Sequence, residues 1–274
     1  MSAVPITTPP VPNDPGAFIS LQGVGKHYGE GDATVDAIGS VTLDIRQGEF
    51  VSIVGPSGCG KSSLLQIVAG LLAGSRGTVH IAGRPVTEPP ASLVYLFQQY
   101  SRSLFPWMTA RENVRFAFEH HGRLDRKASD ERCEKYLSMV GLRDNINRYP
   151  WEMSGGMQQR LAIARALAAE PKVLLLDEPF SAVDALTRME LHDLMLRLWK
   201  MTGLTILLVT HDVDEAVFLS DRIALLSPRP TQIAAVYTNH LPRPRHQVST
   251  REEPEFLALR NQLLRRLLGA PAES

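Results

Sequence analysis

The chain has 274 residues, of which 44% are hydrophobic and 21% are charged, proportions that are ordinary for a globular protein with a substantial core. Lysine and arginine together number 29, as do aspartate and glutamate, so the net charge of zero provides no overall field that favours nucleic acid. Apolar runs are far too short to span a bilayer, no signal peptide is expected, and two cysteines favour a reducing, cytoplasmic location over a disulfide scaffold.

The first predicted element is a flexible arm, since residues 1–17 contain five prolines and few apolar side chains. A strand is expected from Phe18 to Tyr28, and a second strand from Val41 ends before Gly48. By position alone, the aromatic ring of Tyr28 is expected to pack on the sheet at the end of its strand.

A glycine-rich segment at residues 55–63, here called the phosphate loop, fits the pattern G-x-x-x-x-G-K-[ST]. Its residues are Gly55, Pro56, Ser57, Gly58, Cys59, Gly60, Lys61, Ser62 and Ser63. The apolar run Phe50–Val54 before it is typical of a buried parallel strand, and apolar residues at helical spacing follow it. Strand, glycine loop and helix together predict backbone N–H groups arranged around phosphate oxygens at the positive end of a helix.

This context predicts that the chain binds a nucleoside triphosphate. Lys61 would contact its β- and γ-phosphates, and the Ser62 hydroxyl would bind Mg²⁺. Tyr28, just ahead of the strand that leads into the loop, would alternatively stack on the base rather than pack on the sheet. Cys59 is interpreted as a small side chain that fits the loop, in preference to a redox sensor.

The following segments alternate between strand and helix until a helical stretch interrupts the pattern. A strand at residues 92–97 is followed at once by Gln98, whose polar side chain would face a ligand at the strand end. Residues 109–112 form a capping box that begins one helix, and a further helix is expected at residues 129–140. We therefore predict an inserted helical subdomain over about residues 100–153.

Ser154, Gly155 and Gly156, here called the Ser-Gly-Gly segment, precede a long helix that is predicted at residues 158–169. Ser154 is well suited to an N-cap, which is the structural interpretation of this segment. Alternatively, its hydroxyl and the glycine N–H groups form a second anion site at the positive end of that helix.

Two carboxylates, Asp177 and Glu178, end an apolar strand that begins at Lys172. The strands of an α/β sheet bind ligands at their carboxyl ends, so both side chains are expected beside the phosphate loop. Asp177 would hold Mg²⁺ through water, and Glu178 would polarise an attacking water. His211 follows the strand Thr205–Thr210 at the same edge, which favours a ligand contact over a structural role.

Helices are predicted on either side of that last strand. Asp184 ends a short loop before a helix at residues 186–201, which Gly203 terminates. The segment Pro254–Leu268 has apolar residues at helical spacing and is expected to pack on the domain rather than on a membrane, within a tail at residues 246–274.

This ordered set of motifs resembles the ATP-binding subunit of an ATP-binding-cassette (ABC) transporter over roughly residues 18–241. The phosphate loop is similar to Walker A, Gln98 to the Q-loop glutamine, and the Ser-Gly-Gly segment to the family signature. Asp177 and Glu178 are similar to Walker B and its catalytic glutamate, Asp184 to the D-loop aspartate, and His211 to the switch histidine. Met153 and Met157 replace the leucine and glutamine usual beside the signature, which removes neither the hydroxyl nor the glycine N–H groups.

The resemblance implies an α/β fold with a P-loop NTPase sheet core, an N-terminal antiparallel β part and the inserted helical subdomain, in an ABC ATPase domain at residues 18–245. Glu178 and His211 would be the catalytic residues of ATP hydrolysis, with ATP and Mg²⁺ as cofactors. Gln98 would join Ser62 and Asp177 as a Mg²⁺ ligand. The resemblance also supports Tyr28 as the aromatic that stacks on adenine.

The resemblance further implies a head-to-tail homodimer with two ATP molecules sandwiched between the chains. The Ser-Gly-Gly segment of one chain would face the phosphate loop, Gln98 and His211 of the other, and Asp184 is a further expected nucleotide contact. Transport would require transmembrane permease subunits, which the helical subdomain and the loop after Gln98 would contact, and indirectly a solute-binding protein. The chain would lie peripherally at the cytoplasmic face of the inner membrane, with no nucleic acid partner.

Two short loops indicate a subfamily. Residues 104–107 and 226–230 resemble the importers of nitrate, sulfonate, taurine and related small solutes. Three alternatives stay open at this point: a soluble, membrane-free ABC ATPase, the ATP-binding subunit of an exporter, and an ATP-gated regulatory clamp.

Overall fold

A computed structural model describes residues 16–29, 35–99, 103–119 and 125–269, which divide into two compact units. Unit 1 combines the chain up to Pro90 with the chain from Thr205 onward, and unit 2 is Ala91–Leu204. Residues 1–15 of the predicted arm lie outside the described residues. The domain boundaries predicted at residues 18–245, 246–274 and about 100–153 remain predictions.

The strands and helices of the described residues are numbered in chain order. The strands are β1 (Ala17–Tyr28), β2 (Val35–Arg46), β3 (Phe50–Val54), β4 (Arg76–Ile81), β5 (Arg84–Pro85), β6 (Leu93–Leu96), β7 (Val173–Asp177), β8 (Thr205–Thr210), β9 (Arg222–Leu226) and β10 (Thr231–Thr238). The helices are α1 (Lys61–Val68), α2 (Ala110–Phe116), α3 (Arg126–Met139), α4 (Gly155–Ala168), α5 (Ala185–Thr202), α6 (Val213–Leu219), α7 (Ser249–Glu252) and α8 (Pro254–Leu268). Short 3₁₀ helices lie at Arg143–Asn145 and Pro150–Glu152.

Unit 1 is built on a mixed sheet with the strand order β5-β4-β1-β2-β10-β9-β3-β8. Its N-terminal part is antiparallel, because β1 pairs with both β2 and β4, and β4 pairs with β5. By contrast, β3 lies parallel to both β8 and β9, and every residue of β3 and β8 is buried. Continuous apolar strands of this kind form when both faces of a sheet are covered.

The C-terminal helix α8 packs on α6 within unit 1. Its buried side chains are Phe256, Leu259 and Leu263. An ion pair joins Arg260 Nε to Asp214 Oδ1 at 3.5 Å, from α8 to the start of α6. The tail helix predicted from its apolar spacing therefore has its apolar face against the protein.

The carbonyl end of α6 is also bound by a buried arginine. Arg245 Nη1 donates to the carbonyl oxygens of Val217, Phe218 and Ser220 at 3.3, 2.8 and 3.0 Å. Burial lowers the pKa of Arg245 to about 10, which leaves the guanidinium protonated at neutral pH. A cation at the carboxyl end of a helix is favourably placed, since the last carbonyls have no partner within the helix.

In unit 2, β6 and β7 pair in parallel with Leu96 beside Leu176. Helix α2 begins with the predicted capping box, since Thr109 N donates to Glu112 Oε2 at 2.7 Å and Glu112 N donates to Thr109 Oγ1 at 3.3 Å. The carboxylate of Glu112 accepts hydrogen bonds from both the N–H and the hydroxyl of Thr109, and these two bonds lower the pKa of Glu112. The helical character predicted between β6 and β7 is confirmed by α2, α3 and the two 3₁₀ helices.

Two helices of unit 2 begin three residues earlier than predicted. Helix α4 begins at Gly155 rather than residue 158, because Ser154 Oγ already accepts the N–H of Met157 at 3.3 Å. Helix α3 begins at Arg126 rather than residue 129, because Asp125 Oδ1 accepts the N–H of Ala128 at 2.7 Å. In both cases a capping side chain just ahead of the predicted boundary sets the first turn.

Candidate functional site

The phosphate loop joins β3 to α1 in unit 1. Gly58 and Gly60 have φ angles of 71° and 106°, in the left-handed region that glycine enters without a steric penalty. Gly60 is also the N-cap of α1, and no side chain caps that helix. The loop therefore presents the first turn of α1 without a side-chain acceptor of its own, which is the arrangement that suits an external anion.

Lys61 is buried, with 6% of the residue exposed. Its Nζ donates to the carbonyl oxygens of Gly55 and Pro56, each at 3.0 Å. Both acceptors are neutral, and a phosphate oxygen would form a stronger, charge-assisted hydrogen bond with the same ammonium. The side chain is thus positioned within the loop by its own backbone.

Cys59 is a packing residue of the loop. Its side chain is buried, and burial raises the pKa of the Cys59 thiol. Its carbonyl accepts a hydrogen bond from the hydroxyl of Thr231, at the start of β10. A buried neutral thiol agrees with a small structural side chain, because reactivity requires an accessible thiolate.

Tyr28 lies beside the phosphate loop. Its hydroxyl donates to Ser63 Oγ at 3.3 Å, and Lys26 Nζ lies 5.2 Å from the centre of its ring. The residue is 44% exposed, so the ring is accessible from solvent. The structure thus brings Tyr28 and the loop together, as base stacking above a bound triphosphate would require.

His211 follows β8 directly and is exposed. The parallel register pairs Val54 of β3 with Thr210 of β8. The residues that follow them, Gly55 and His211, therefore leave the sheet at neighbouring positions. Asp212 then caps α6, accepting the N–H of Glu215 at 3.1 Å. His211 therefore lies at the edge of the unit 1 sheet from which the phosphate loop departs.

In unit 2, the carboxylates at the end of β7 have partners from β6 and the residues after it. Tyr95 Oη donates to Asp177 Oδ2 at 2.8 Å, and Gln98 Nε2 donates to Glu178 Oε2 at 3.3 Å. Gln98 and Glu178 are therefore in contact where β6 and β7 end, and Asp177 precedes Glu178 directly. Tyr95 was not predicted, and the signal that could have found it is a polar hydroxyl in the strand that leads into Gln98.

The Ser-Gly-Gly segment begins α4, and Ser154 is confirmed as its N-cap. A Cβ at Gly156 would lie 2.6 Å from Thr187 Cγ2, so a larger side chain would not fit against α5. Asp184 caps α5, accepting the N–H of Thr187 at 3.0 Å, and this hydrogen bond lowers the pKa of Asp184. Both helix starts are thus explained locally, and an anion contact at the Ser-Gly-Gly segment stays a prediction.

The predicted site residues are divided between the two units. Unit 1 contains Tyr28, the phosphate loop and His211, whereas unit 2 contains Gln98, the Ser-Gly-Gly segment, Asp177, Glu178 and Asp184. The hydroxyl, amide and carboxylate oxygens of Ser62, Gln98 and Asp177 are ligands that suit Mg²⁺, a hard cation that usually keeps waters and substrate phosphates in its shell. Among the described residues, no group of three or more His, Cys, Asp or Glu side chains forms a separate metal centre.

A family model described as ABC transporter matches residues 38–181, more than half of the chain. The chain belongs to the ABC transporter family. The matched range begins in β2 and contains the phosphate loop, Gln98, the Ser-Gly-Gly segment, Asp177 and Glu178. The protein is therefore an ABC ATPase that binds ATP together with Mg²⁺ and hydrolyses it.

Several relatives of this ABC ATPase are named for the import or transport of small solutes. The nitrate import ATP-binding protein NrtC of Synechococcus elongatus is 47% identical over 233 residues, which cover 83% of this chain and 35% of NrtC. The bicarbonate transport ATP-binding protein CmpD of Synechocystis is 40% identical over 250 residues, covering 90% and 88% of the two chains. The aliphatic sulfonates import ATP-binding protein SsuB of Bacillus cereus is 41% identical over 231 residues, covering 84% and 90%.

A solved structure also matches the ABC ATPase. It is a dimeric, post-hydrolysis state of the ATP-binding cassette MJ0796 bound to ADP and Pi, with 34% sequence identity and a TM-score of 0.70. The match covers 80% of this chain and 98% of that one, and it confirms the predicted α/β P-loop NTPase fold.

Within the residues that the structure describes, no helix combines the length and apolar content needed to cross a membrane.

Proposed function

We propose that this ABC ATPase powers an importer for a small solute that is an anion or carries an anionic group, such as nitrate, a sulfonate or taurine. The observation that carries this proposal is the set of relatives named for nitrate, bicarbonate and sulfonate, at 40–47% identity over more than four-fifths of the chain. Nitrate, bicarbonate and sulfonates are all small anions, so a negatively charged group is the feature that these solutes share. The solute itself would be selected by other subunits.

In the proposed site, the phosphate loop and Lys61 bind the triphosphate, and Tyr28 stacks on adenine. Glu178 polarises the attacking water, and its hydrogen bond with Gln98 supports an oriented carboxylate. His211 contacts the γ-phosphate from the edge of the unit 1 sheet. When bound, Mg²⁺ supplies neutralisation of phosphate charge, and Ser62, Gln98 and Asp177 would hold it.

The proposed working form is a head-to-tail homodimer, which the dimeric state of the matching MJ0796 structure supports. The Ser-Gly-Gly segment of one chain would approach the nucleotide of the other, where the positive end of α4 favours phosphate charge. Asp184, at the neighbouring start of α5, would complete this contact. ATP would then favour the closed dimer over the open one, and that difference in affinity is what can do work on a membrane partner.

The proposed permease contact is an aromatic cluster in unit 2. Phe105 lies 5.5 Å from Trp107 and 4.7 Å from Phe116 between ring centres. Trp107 is 70% exposed and Phe116 is 40% exposed, so large apolar surface faces solvent. Exposed apolar clusters of this kind mark interaction sites, and here the partner would be a cytoplasmic helix or loop of a permease subunit.

Co-expression with the permease and the solute-binding protein of a nitrate or sulfonate importer tests this function. We expect the complex to purify together and its ATPase rate in proteoliposomes to rise when the solute-binding protein carries nitrate or a sulfonate. Trp107→Glu should release the ATPase from the permease while leaving ATP binding intact. Leu268→Glu places the same charge on another exposed apolar residue, 80% exposed in α8, and should change nothing.

Two outcomes would contradict the proposal. If the protein never purifies with a membrane subunit, and its ATPase rate alone is as high as in the presence of the permease, the soluble ABC ATPase is favoured. A complex that exports solute from loaded vesicles, with no response to a solute-binding protein, would favour the exporter.

A further inference from the structure

Glu178 has an unusual backbone conformation for a residue with a side chain. Its φ angle is 45°, in the left-handed region that residues other than glycine seldom adopt. Such a conformation persists only where the surrounding structure holds it in place, and it is concentrated at sites of function. The contacts that hold this backbone therefore decide where the carboxylate of Glu178 points.

Three hydrogen bonds fix the backbone at and after Glu178. The hydroxyl and the N–H of Ser181 both donate to the carbonyl oxygen of Glu178, at 2.9 and 3.3 Å. The third bond comes from another element, since Gln159 Nε2 in α4 donates to the carbonyl oxygen of Pro179. Pro179 has a restricted φ and no N–H, so its carbonyl is the one backbone group through which a hydrogen bond can hold it.

The side chain of Gln159 occupies this position at a cost in free energy, because it buries a polar amide. Only 2% of the residue is exposed, and its Oε1 is buried without a hydrogen-bond partner among the described residues. A carbonyl accepts and never donates, so the amide must present its NH₂ group to Pro179 and leave Oε1 towards the interior. An apolar side chain of the same length would fill the space without that penalty, so packing alone does not account for the amide.

We propose that Gln159 is a positioning residue for the catalytic carboxylate of Glu178. Its amide holds the Pro179 carbonyl, and with it the left-handed backbone of Glu178, while Gln98 donates a hydrogen bond to the carboxylate itself. Because α4 begins at the Ser-Gly-Gly segment, the same bond connects that segment to Glu178 within one chain. This inference rests on the proposed role of Glu178 in hydrolysis.

The test compares two adjacent glutamines on α4 in the full-length protein. Gln159→Met keeps the length of the side chain and removes the donor to Pro179. Gln158→Met is the matched control, because Gln158 Nε2 donates to the carbonyls of Pro150 and Met153 at 2.9 and 3.2 Å and has no bond to the Glu178 segment. For each variant, phosphate release gives kcat and KM, and titration gives the dissociation constant for ATP.

We expect Gln159→Met to lower kcat by about 10- to 100-fold, the effect of a misplaced catalytic group, with the ATP dissociation constant unchanged. Gln158→Met should keep the parental kcat. A parental kcat in Gln159→Met, or an equal loss in both variants, would overturn the proposal.

A second variant separates positioning from a general loss of structure. Gln159→Glu retains the length of the side chain, and its carboxyl can donate to Pro179 only when it is protonated. Because burial raises the pKa of a carboxyl group, the ratio of its kcat to the parental kcat should rise as pH falls from about 8.5 to 6. A ratio independent of pH would overturn the proposal even if Gln159→Met proved unfolded.

Glu178→Gln, measured alongside, separates the role of Glu178 in hydrolysis from the positioning role of Gln159. If Glu178→Gln hydrolyses ATP at the parental rate, the proposed function of Glu178 is wrong. If Glu178→Gln is slow while both Gln159 variants match the parent, only the positioning role of Gln159 is wrong.

Discussion

Tyr28→Ala removes the aromatic ring that lies beside the phosphate loop. The hydroxyl of Tyr28 is 3.3 Å from Ser63 Oγ, and the residue is 44% exposed, so a base can reach the ring. Stacking of a base on an aromatic side chain contributes about 1–3 kcal/mol. Since about 1.4 kcal/mol corresponds to a factor of ten, the dissociation constant for ATP should rise by about 5- to 150-fold. The kcat at saturating ATP should stay at the parental value.

Two controls isolate the ring from the rest of the site. Tyr28→Phe keeps the ring and removes only the exposed hydrogen bond with Ser63, which contributes about 0.5 kcal/mol and changes ATP affinity by roughly twofold. Inorganic triphosphate has no base, so Tyr28→Ala should bind it as tightly as the parent does. Isothermal titration of both ligands against all three proteins measures these differences.

The stacking role would be refuted by either of two results. If Tyr28→Ala binds ATP as tightly as the parent, the ring does not contact the base. If the affinities of Tyr28→Ala for ATP and for inorganic triphosphate fall equally, the ring does not stack on the base. It then acts on the phosphate loop alone, in its position next to Lys26.

Three further variants test separate parts of the account. Lys61→Ala should abolish tight ATP binding because the triphosphate loses its fixed counter-charge, and an unchanged affinity in a titration would contradict the Walker A assignment. Ser154→Arg should leave ATP binding to the single chain intact and block the ATP-dependent dimer. Hydrolysis at the parental rate would therefore contradict the model in which ATP is bound between two chains. Arg245→Met leaves buried carbonyls at the end of α6 without a donor, so the free energy of unfolding in denaturant should fall by about 3 kcal/mol, and an unchanged midpoint would exclude this stabilising role.

Locally encoded features could be predicted from the sequence. The strand, glycine loop and helix from Phe50 to Val68 are specified by a short apolar run, a glycine pattern and helical spacing, all within neighbouring residues. The Thr109 capping box and α8 were predicted for the same reason. Parallel pairing then brings strand ends together, which is why Gln98 could be expected beside Glu178.

Features that depend on distant partners were missed. Strand β10 has no strong alternating pattern, and it forms because β9 pairs with it antiparallel and β2 pairs with it in parallel. Arg245 lies between β10 and α7, outside any helix or strand, yet it is buried against the carbonyls of α6. Tyr95 was missed although its hydroxyl is a polar group within an apolar strand, and Gln159 has no local signal, because their partners Asp177 and Pro179 lie on other elements.

The most direct test of the central claim, that Glu178 drives ATP hydrolysis, is a phosphate-release assay of Glu178→Gln beside size-exclusion chromatography with and without MgATP. The variant keeps the shape of the side chain and loses the charge that polarises water, so it should bind MgATP at least as well, hydrolyse it about 10²-fold or more slowly, and accumulate as an ATP-bound dimer. Asp177→Asn should differ by losing the Mg²⁺-dependent part of ATP binding. Parental turnover by Glu178→Gln, with no dimer stabilised by MgATP, would contradict the account and place the catalytic base elsewhere.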